Sequence, residues 1–171
     1  MKTVCVIMIL ILGTNIYGQK NMLFLELGGN AQGSSLNYER QLTSEKGLML
    51  TIGVGLALVK ADDEYEHVFS GLVTEPKFSI PVSITYLFKI KNENYIETGL
   101  GYTWINIDKN YVSTERGTHN FILALGFRSY FGKQKSWMWK ANFSPILAGN
   151  GDSGLEFGFS PMFGIALGKR F

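Results

Sequence analysis

The run Leu48-Met49-Leu50-Thr51-Ile52-Gly53-Val54-Gly55-Leu56-Ala57-Leu58-Val59 constrains the fold more than any other part of the chain. Its even positions are all large and aliphatic. Its odd positions (Met49, Thr51, Gly53, Gly55, Ala57, Val59) are mostly small, with one hydroxyl. A period of two marks a β-strand, because successive side chains leave the pleated backbone on opposite faces. A soluble barrel would turn the large face inward. A barrel in lipid inverts this, with an apolar outer face and a small or polar lumen face. The run fits either arrangement, so the rest of the chain decides.

Eight alternating runs recur, separated by polar or glycine-rich breaks: 22–28, 35–42, 48–59, 77–89, 95–105, 118–131, 137–147 and 162–171. The clearest is the fourth, where Phe78, Ile80, Val82, Ile84, Tyr86 and Phe88 oppose Ser79, Pro81, Ser83 and Thr85. In the seventh, Trp139, Ala141, Phe143 and Pro145 oppose Lys140, Asn142 and Ser144. Glu26, Glu39, Glu97, Arg128 and Lys140, charged residues in the strand interiors, lie on the glycine-serine-threonine face, and so does Arg170 near the end of the eighth. Solvent faces rarely collect glycines, whereas Gly99, Gly101, Gly126, Gly164 and Gly168 suit a crowded lumen. A soluble sandwich or lipocalin-like exported barrel that binds a ligand is the competing reading. Met22–Gly28 lacks the glycine-x-tryptophan signature a lipocalin would carry there. The reading that follows is all-β, an eight-stranded antiparallel up-and-down transmembrane β-barrel.

Two further patterns support that reading and orient the barrel. Breaks after the second, fourth and sixth runs are tight, and those after the third, fifth and seventh are long, the last spanning 148–160. Outer-membrane barrels pair tight periplasmic turns with longer outer loops. The first outer connection, Gly29–Ser34, is a short exception. Tyr86, Phe88, Tyr95, Phe131, Trp137, Trp139 and Phe171 gather at the expected periplasmic ends, and Phe78, Tyr102, Trp104, Phe121 and Phe163 towards the outer ends. Two aromatic girdles are what two lipid interfaces select. Both termini are then expected in the periplasm.

Met1-Lys2-Thr3, the apolar run Val4–Leu12 and the small, polar Gly13–Gly18 have the layout of a secretory signal peptide. The expected organisation is a signal peptide over 1–18 and one barrel domain over 19–171. The apolar run is about half the ~20 residues of a transmembrane helix. The only cysteine, Cys5, falls in the signal, which leaves the exported domain without disulfide, thiol nucleophile or thiolate metal site. A net charge of +2 is too mild to argue for nucleic acid.

The stretches Leu25-Glu26-Leu27-Gly28-Gly29-Asn30, Leu36-Asn37-Tyr38-Glu39-Arg40, Glu97-Thr98-Gly99-Leu100-Gly101-Tyr102-Thr103 and Gly126-Phe127-Arg128 resemble strands of small Gram-negative outer-membrane barrels, broadly the OmpA-like and OmpW-like eight-stranded group. The terminal Phe171 after Gly168-Lys169-Arg170 resembles the signal read by the barrel-assembly machinery. This likeness spans the mature chain and brings no active site. It implies a cell-outer-membrane location, contact with outer-membrane lipids, the assembly machinery as a partner during insertion, and a monomer.

Candidate chemistry centres on the inward charges. An eight-stranded barrel is just wide enough for side chains to fill it. Unpaired charges there would cost several kcal/mol each. Glu26, Glu39, Glu97, Arg128, Lys140 and Arg170 are therefore expected to form an ion-pair network, with Glu97 and Arg128 on neighbouring strands at similar depth. Asp62, Asp63, Glu64, Glu66 and His67 form the one loop with possible metal ligands, but their spacing matches no EF-hand and a solvated acidic loop is expected. Gly151-Asp152-Ser153-Gly154 echoes a serine-protease stretch without triad partners, since only His67 and His119 exist. No enzyme and no cofactor is expected. The expected role is a structural or adhesive barrel with a plugged lumen. The alternative is a porin-like channel or transporter for small or hydrophobic solutes. Ile52→Asp should impair insertion, whereas Gly53→Ser should be tolerated.

Overall fold

The computed structural model describes residues 21–43, 47–60, 74–107, 118–151 and 154–171. The signal segment and the acidic loop Asp62–His67 lie outside the described residues. Ten strands form: β1 Asn21–Gly28, β2 Gly33–Gln41, β3 Leu48–Lys60, β4 Thr74–Lys91, β5 Asn94–Ile105, β6 His119–Phe131, β7 Trp137–Phe143, β8 Ile146–Gly151, β9 Gly154–Ser160 and β10 Phe163–Arg170. Consecutive strands β1 to β7 pair antiparallel, β7 pairs with β10, and β10 pairs with β1, which closes an eight-membered ring. Closure leaves this ring no open edge, which lipid requires because it offers backbone groups no substitute hydrogen bonds.

β8 and β9 make a hairpin that continues β7 and β10 beyond the ring, with β8 pairing the start of β6 over Asn120–Ile122. The long loop expected over 148–160 is therefore mostly strand. Prolines divide the two staves. Pro145 and Pro161 lack the N–H a continuous ladder needs. Neighbouring groups keep the wall joined: Ser144 N–H donates to the Met162 carbonyl at 2.7 Å, and Leu123 N–H to the Pro145 carbonyl at 3.0 Å. Pro145, expected on the outer face, is buried at this break. Pro81 acts in the same way inside β4. The β3–β4 register skips Gly53–Val54 opposite Ile80–Pro81.

The wall faces as the alternation requires. In β1, Leu25 is 63% exposed beside Phe24 at 2% and Glu26 at 2%. Ile52, Val54, Leu56 and Leu58 are exposed on β3, while Thr51, Gly53 and Ala57 are buried. The exposed apolar face continues round the ring through Ile84, Ile96, Leu100, Leu125, Ile165 and Leu167. Water-soluble monomers rarely expose large apolar side chains around their whole girth in this way. This belt is the outer surface of a membrane-spanning barrel.

Two readings are corrected inside the barrel. Tyr95, assigned to an aromatic girdle, is buried in the lumen, where it packs edge-on against Tyr130 at 5.7 Å. Its odd position on β5 puts it in phase with Glu97, and that phase prevails over its place at the strand end. Gly53 is not a free lumen position. A Cβ there would overlap the Asn37 side-chain amide and press on the Leu36 carbonyl at 3.1 Å, so Gly53→Ser requires Asn37 to move.

Candidate functional site

The lumen is filled in layers. The floor, nearest the strand ends that carry the described chain ends, is apolar: Met22, Met49, Leu87, Tyr95, Tyr130 and Met138 are all buried there, with Phe24 above them. All but Met22, which precedes Phe24, sit two residues towards that end from a polar neighbour on the same face, such as Met138 before Lys140 and Tyr130 after Arg128. A period of two guarantees the shared face. Methionine fills irregular gaps in a narrow bore because its chain is unbranched and flexible.

The second layer holds the ionic cluster. Arg128 is 0% exposed and spans between two carboxylates. Its Nη1 and Nη2 donate to Glu39 Oε1 and Oε2 at 2.5 and 2.8 Å, a bidentate fork. Its Nε donates to Glu97 Oε2 at 2.9 Å, and Nη2 lies 2.7 Å from the same oxygen. Nη1 also donates to the Tyr130 hydroxyl at 3.2 Å. Glu97 and Arg128 are on adjacent strands, whereas Glu39 reaches Arg128 from β2 across the bore. Five donors in a fixed plane let one guanidinium hold both carboxylates, from β2 and β5, at hydrogen-bond distance at once.

Lys140 sits beside this fork. Its Nζ is 3.6 Å from Glu26 and 4.0 Å from Glu97, and lies 4.7 Å over the Phe24 ring. Glu26 Oε1 accepts from Asn142 Nδ2 at 3.0 Å and from the Asn30 backbone N–H at 3.2 Å. Thr51 Oγ1 donates to Glu39 at 3.2 Å. Arg170 lies apart from the carboxylates, donating to Gln41 Oε1 at 3.0 Å and stacking 4.8 Å over the Tyr130 ring. The structure thus joins Glu26, Glu39, Glu97, Arg128 and Lys140 in one cluster and places Arg170 on its floor side. Arg128 and Lys140 face the three carboxylates directly, and Arg170 adds a third cation on the floor side.

The roof was not legible in the sequence. The β1–β2 connection, expected as a short outer loop, folds into the barrel as a single 3-10 turn, Gly29–Ala31. Gly29, Asn30, Ala31 and Gln32 are all buried. The Asn30 carbonyl accepts from Thr103 Oγ1 at 2.6 Å on the far wall, and the Ala31 carbonyl from Ser79 Oγ at 3.5 Å. Glycines make the inward fold possible. Gly28 and Gly29 have φ of 75° and 61°, and any Cβ on Gly29 would strike Glu26 and come within 2.6 Å of Asn142 Nδ2. Above the turn, Ala57, Val59 and Ile105 pack together, with Ile107 against them. The only available signal was Gly28-Gly29, which also suits an ordinary hairpin.

Among the described residues no group of three or more His, Cys, Asp or Glu is arranged to hold a metal ion. His119 pairs with Tyr102 through Nδ1 at 2.5 Å and stacks on its ring. The described lumen presents an ionic lock.

No family model and no curated protein sequence matches the chain. Solved structures do. The N-terminal β-barrel domain of Pseudomonas aeruginosa OprF aligns over 90% of this chain and 96% of that one, at 16% identity and a TM-score of 0.48. A major outer membrane protein from Thermus thermophilus aligns over 91% of this chain and 100% of that one, at 14% identity and a TM-score of 0.50. What the Thermus protein shares with this chain is the fold. With its closed ring, apolar outer belt and filled bore, the chain is an eight-stranded antiparallel β-barrel of the outer-membrane type.

Proposed function

We propose that this protein is a structural or adhesive barrel of the outer membrane whose lumen does not conduct. The observation that carries this reading is Arg128, wholly buried and held by Glu39 and Glu97 from opposite sides of the bore. The apolar floor below it and the inward β1–β2 turn above it add two further barriers. A pore would need all three layers to move together. Breaking a buried ion pair costs about 3–5 kcal/mol, a large share of a domain's stability. The buried charges of the described lumen are paired with one another. The soluble ligand-binding barrel is disfavoured by the same belt that lipid would cover.

The test is single-channel recording of the purified, refolded protein in a planar bilayer. The expected trace is flat, apart from rare brief events. Steady, reproducible conductance steps from the wild-type chain would replace this reading with the channel reading. Alkali-metal and small organic ions should be tried on both sides, since a narrow bore would discriminate between them.

A further inference from the structure

At the lower rim, where the tight β4–β5 and β6–β7 turns and the described chain ends lie, the surface is strongly basic. Lys89 and Lys91 end β4, Lys133 and Lys135 form the β6–β7 turn, and Lys169 ends β10; all five are exposed. Arg40, near the end of β2, adds a sixth cation at this level. Among the described residues Glu93 is the one side-chain carboxylate at this rim, and it accepts from the Tyr95 hydroxyl at 3.4 Å. Among the described residues towards the other end of the wall, Lys77 pairs with Glu75 at 2.8 Å.

Position distinguishes this rim from a solvated charge run. Lys169 occupies an outward position on β10, in phase with Ile165 and Leu167, and pairs across the ladder with Trp137. Its Nζ lies 5.8 Å over the Trp137 ring. Arg40 is likewise in phase with the outward Leu36 and Tyr38. Two cations therefore stand on the wall itself, directly under the apolar belt, beside exposed Trp137, Trp139 and Tyr86. Indole and phenol rings settle at headgroup depth, and basic side chains there carry their charge outward to the phosphates.

We infer that this rim is a binding surface for the headgroups of anionic glycerophospholipids, which gather around the barrel on the side of its tight turns. The inference rests on the membrane reading above and adds to it a lipid class and a side. Each Lys or Arg near an anionic lipid surface contributes a modest attraction that sums over a cluster and is screened by salt. Binding needs no pocket. It requires several cations within reach of one ring of lipid, which the strand ends and the β6–β7 turn supply.

The test uses the full chain refolded into phosphatidylcholine vesicles that contain a trace of spin-labelled phosphatidylglycerol or spin-labelled phosphatidylcholine. The fraction of each probe immobilised at the protein surface gives its relative affinity. A roughly two- to five-fold preference for phosphatidylglycerol is expected at low salt, on the order of the cluster attraction. It should fall towards one in 1 M salt, where the Debye length is about 3 Å. A variant with Lys89, Lys91, Lys133 and Lys135 changed to Gln should also lose most of it while still immobilising phosphatidylcholine. Equal affinity for both probes in the wild type overturns the inference, and so does a preference that the variant keeps in full. Failure to immobilise either probe would instead overturn the membrane reading, which keeps the two separable.

Discussion

Arg128 shows how much a single side chain can decide in a narrow barrel. Its charge is removed from water, yet every face of the guanidinium meets an acceptor or a ring-bearing neighbour. Arg128→Met would leave Glu39 and Glu97 buried without their shared partner. The expected cost is about 3–5 kcal/mol, read as a lowered denaturant midpoint in lipid vesicles. Adding Glu39→Gln and Glu97→Gln to that variant should recover much of the loss, because a neutral core of similar volume needs no compensating charge. If the single variant unfolds at the wild-type midpoint, Arg128 is not the lock described here. That Glu97 and Arg128 share a face was legible from a period of two. The fork to Glu39 was not, because it spans the bore and depends on how ring closure brings β2 opposite β6. The Met22, Met49 and Met138 floor was equally hidden, since an apolar residue on a polar face reads as noise until the face is known to line a lumen.

At the level of elements, the alternation located the strands to within a few residues but failed wherever proline or glycine redirected the chain. The seventh and eighth staves were foreseen as simple strands. Pro145 and Pro161 split them, and the chain beyond continues as the β8–β9 hairpin rather than a loop. Orientation inferred from loop length depends on such boundaries. The β1–β2 turn is the other case, and it carries its own prediction. Gly29→Ala introduces a side chain at φ of 61° and against Glu26 and Asn142. The left-handed conformation alone costs about 1–2 kcal/mol for a residue with a Cβ. The variant should lower the unfolding midpoint and make the chain near Asn30 accessible to protease in folded vesicles. Gly158→Ala is the matched control, since a Cβ there meets nothing within 4 Å. It should stay within about 0.5 kcal/mol of wild type. Equal effects at both glycines would mean that the inward turn contributes nothing.

On the scale of the whole molecule, one inversion organises everything: charge inside, hydrocarbon outside. It makes the ring insoluble in water, forces the lumen charges to neutralise one another, and fixes which side chains can touch lipid. Ile52→Arg, in the outer belt, should cost about 2–4 kcal/mol at mid-membrane depth, read as a lowered denaturant midpoint in vesicles. Arg128, on the inner face of the same wall, is tolerated because its partners are built in. The same inversion was already visible in Leu48–Val59, where large and small residues separate by parity. Its direction emerged only from the charges of the other strands.

That direction can be measured along the same strand. Cys5 is the only native cysteine, so spin labels can be placed singly from Leu48 to Val59 in a Cys5→Ser background. In folded vesicles, collision rates with dissolved oxygen should peak at the even positions, Leu50, Ile52, Val54, Leu56 and Leu58. At Met49, Thr51 and Val59, buried odd positions that already carry a side chain, the labels should be shielded from oxygen and from a water-soluble nickel relaxant alike, and Gly53 and Gly55 stay unlabelled because a Cβ at either strikes the neighbouring strand. A period of two with that phase is the result this structure requires. The opposite phase, or labels at the odd positions that meet the nickel relaxant freely, would contradict a lipid-facing wall around a plugged lumen.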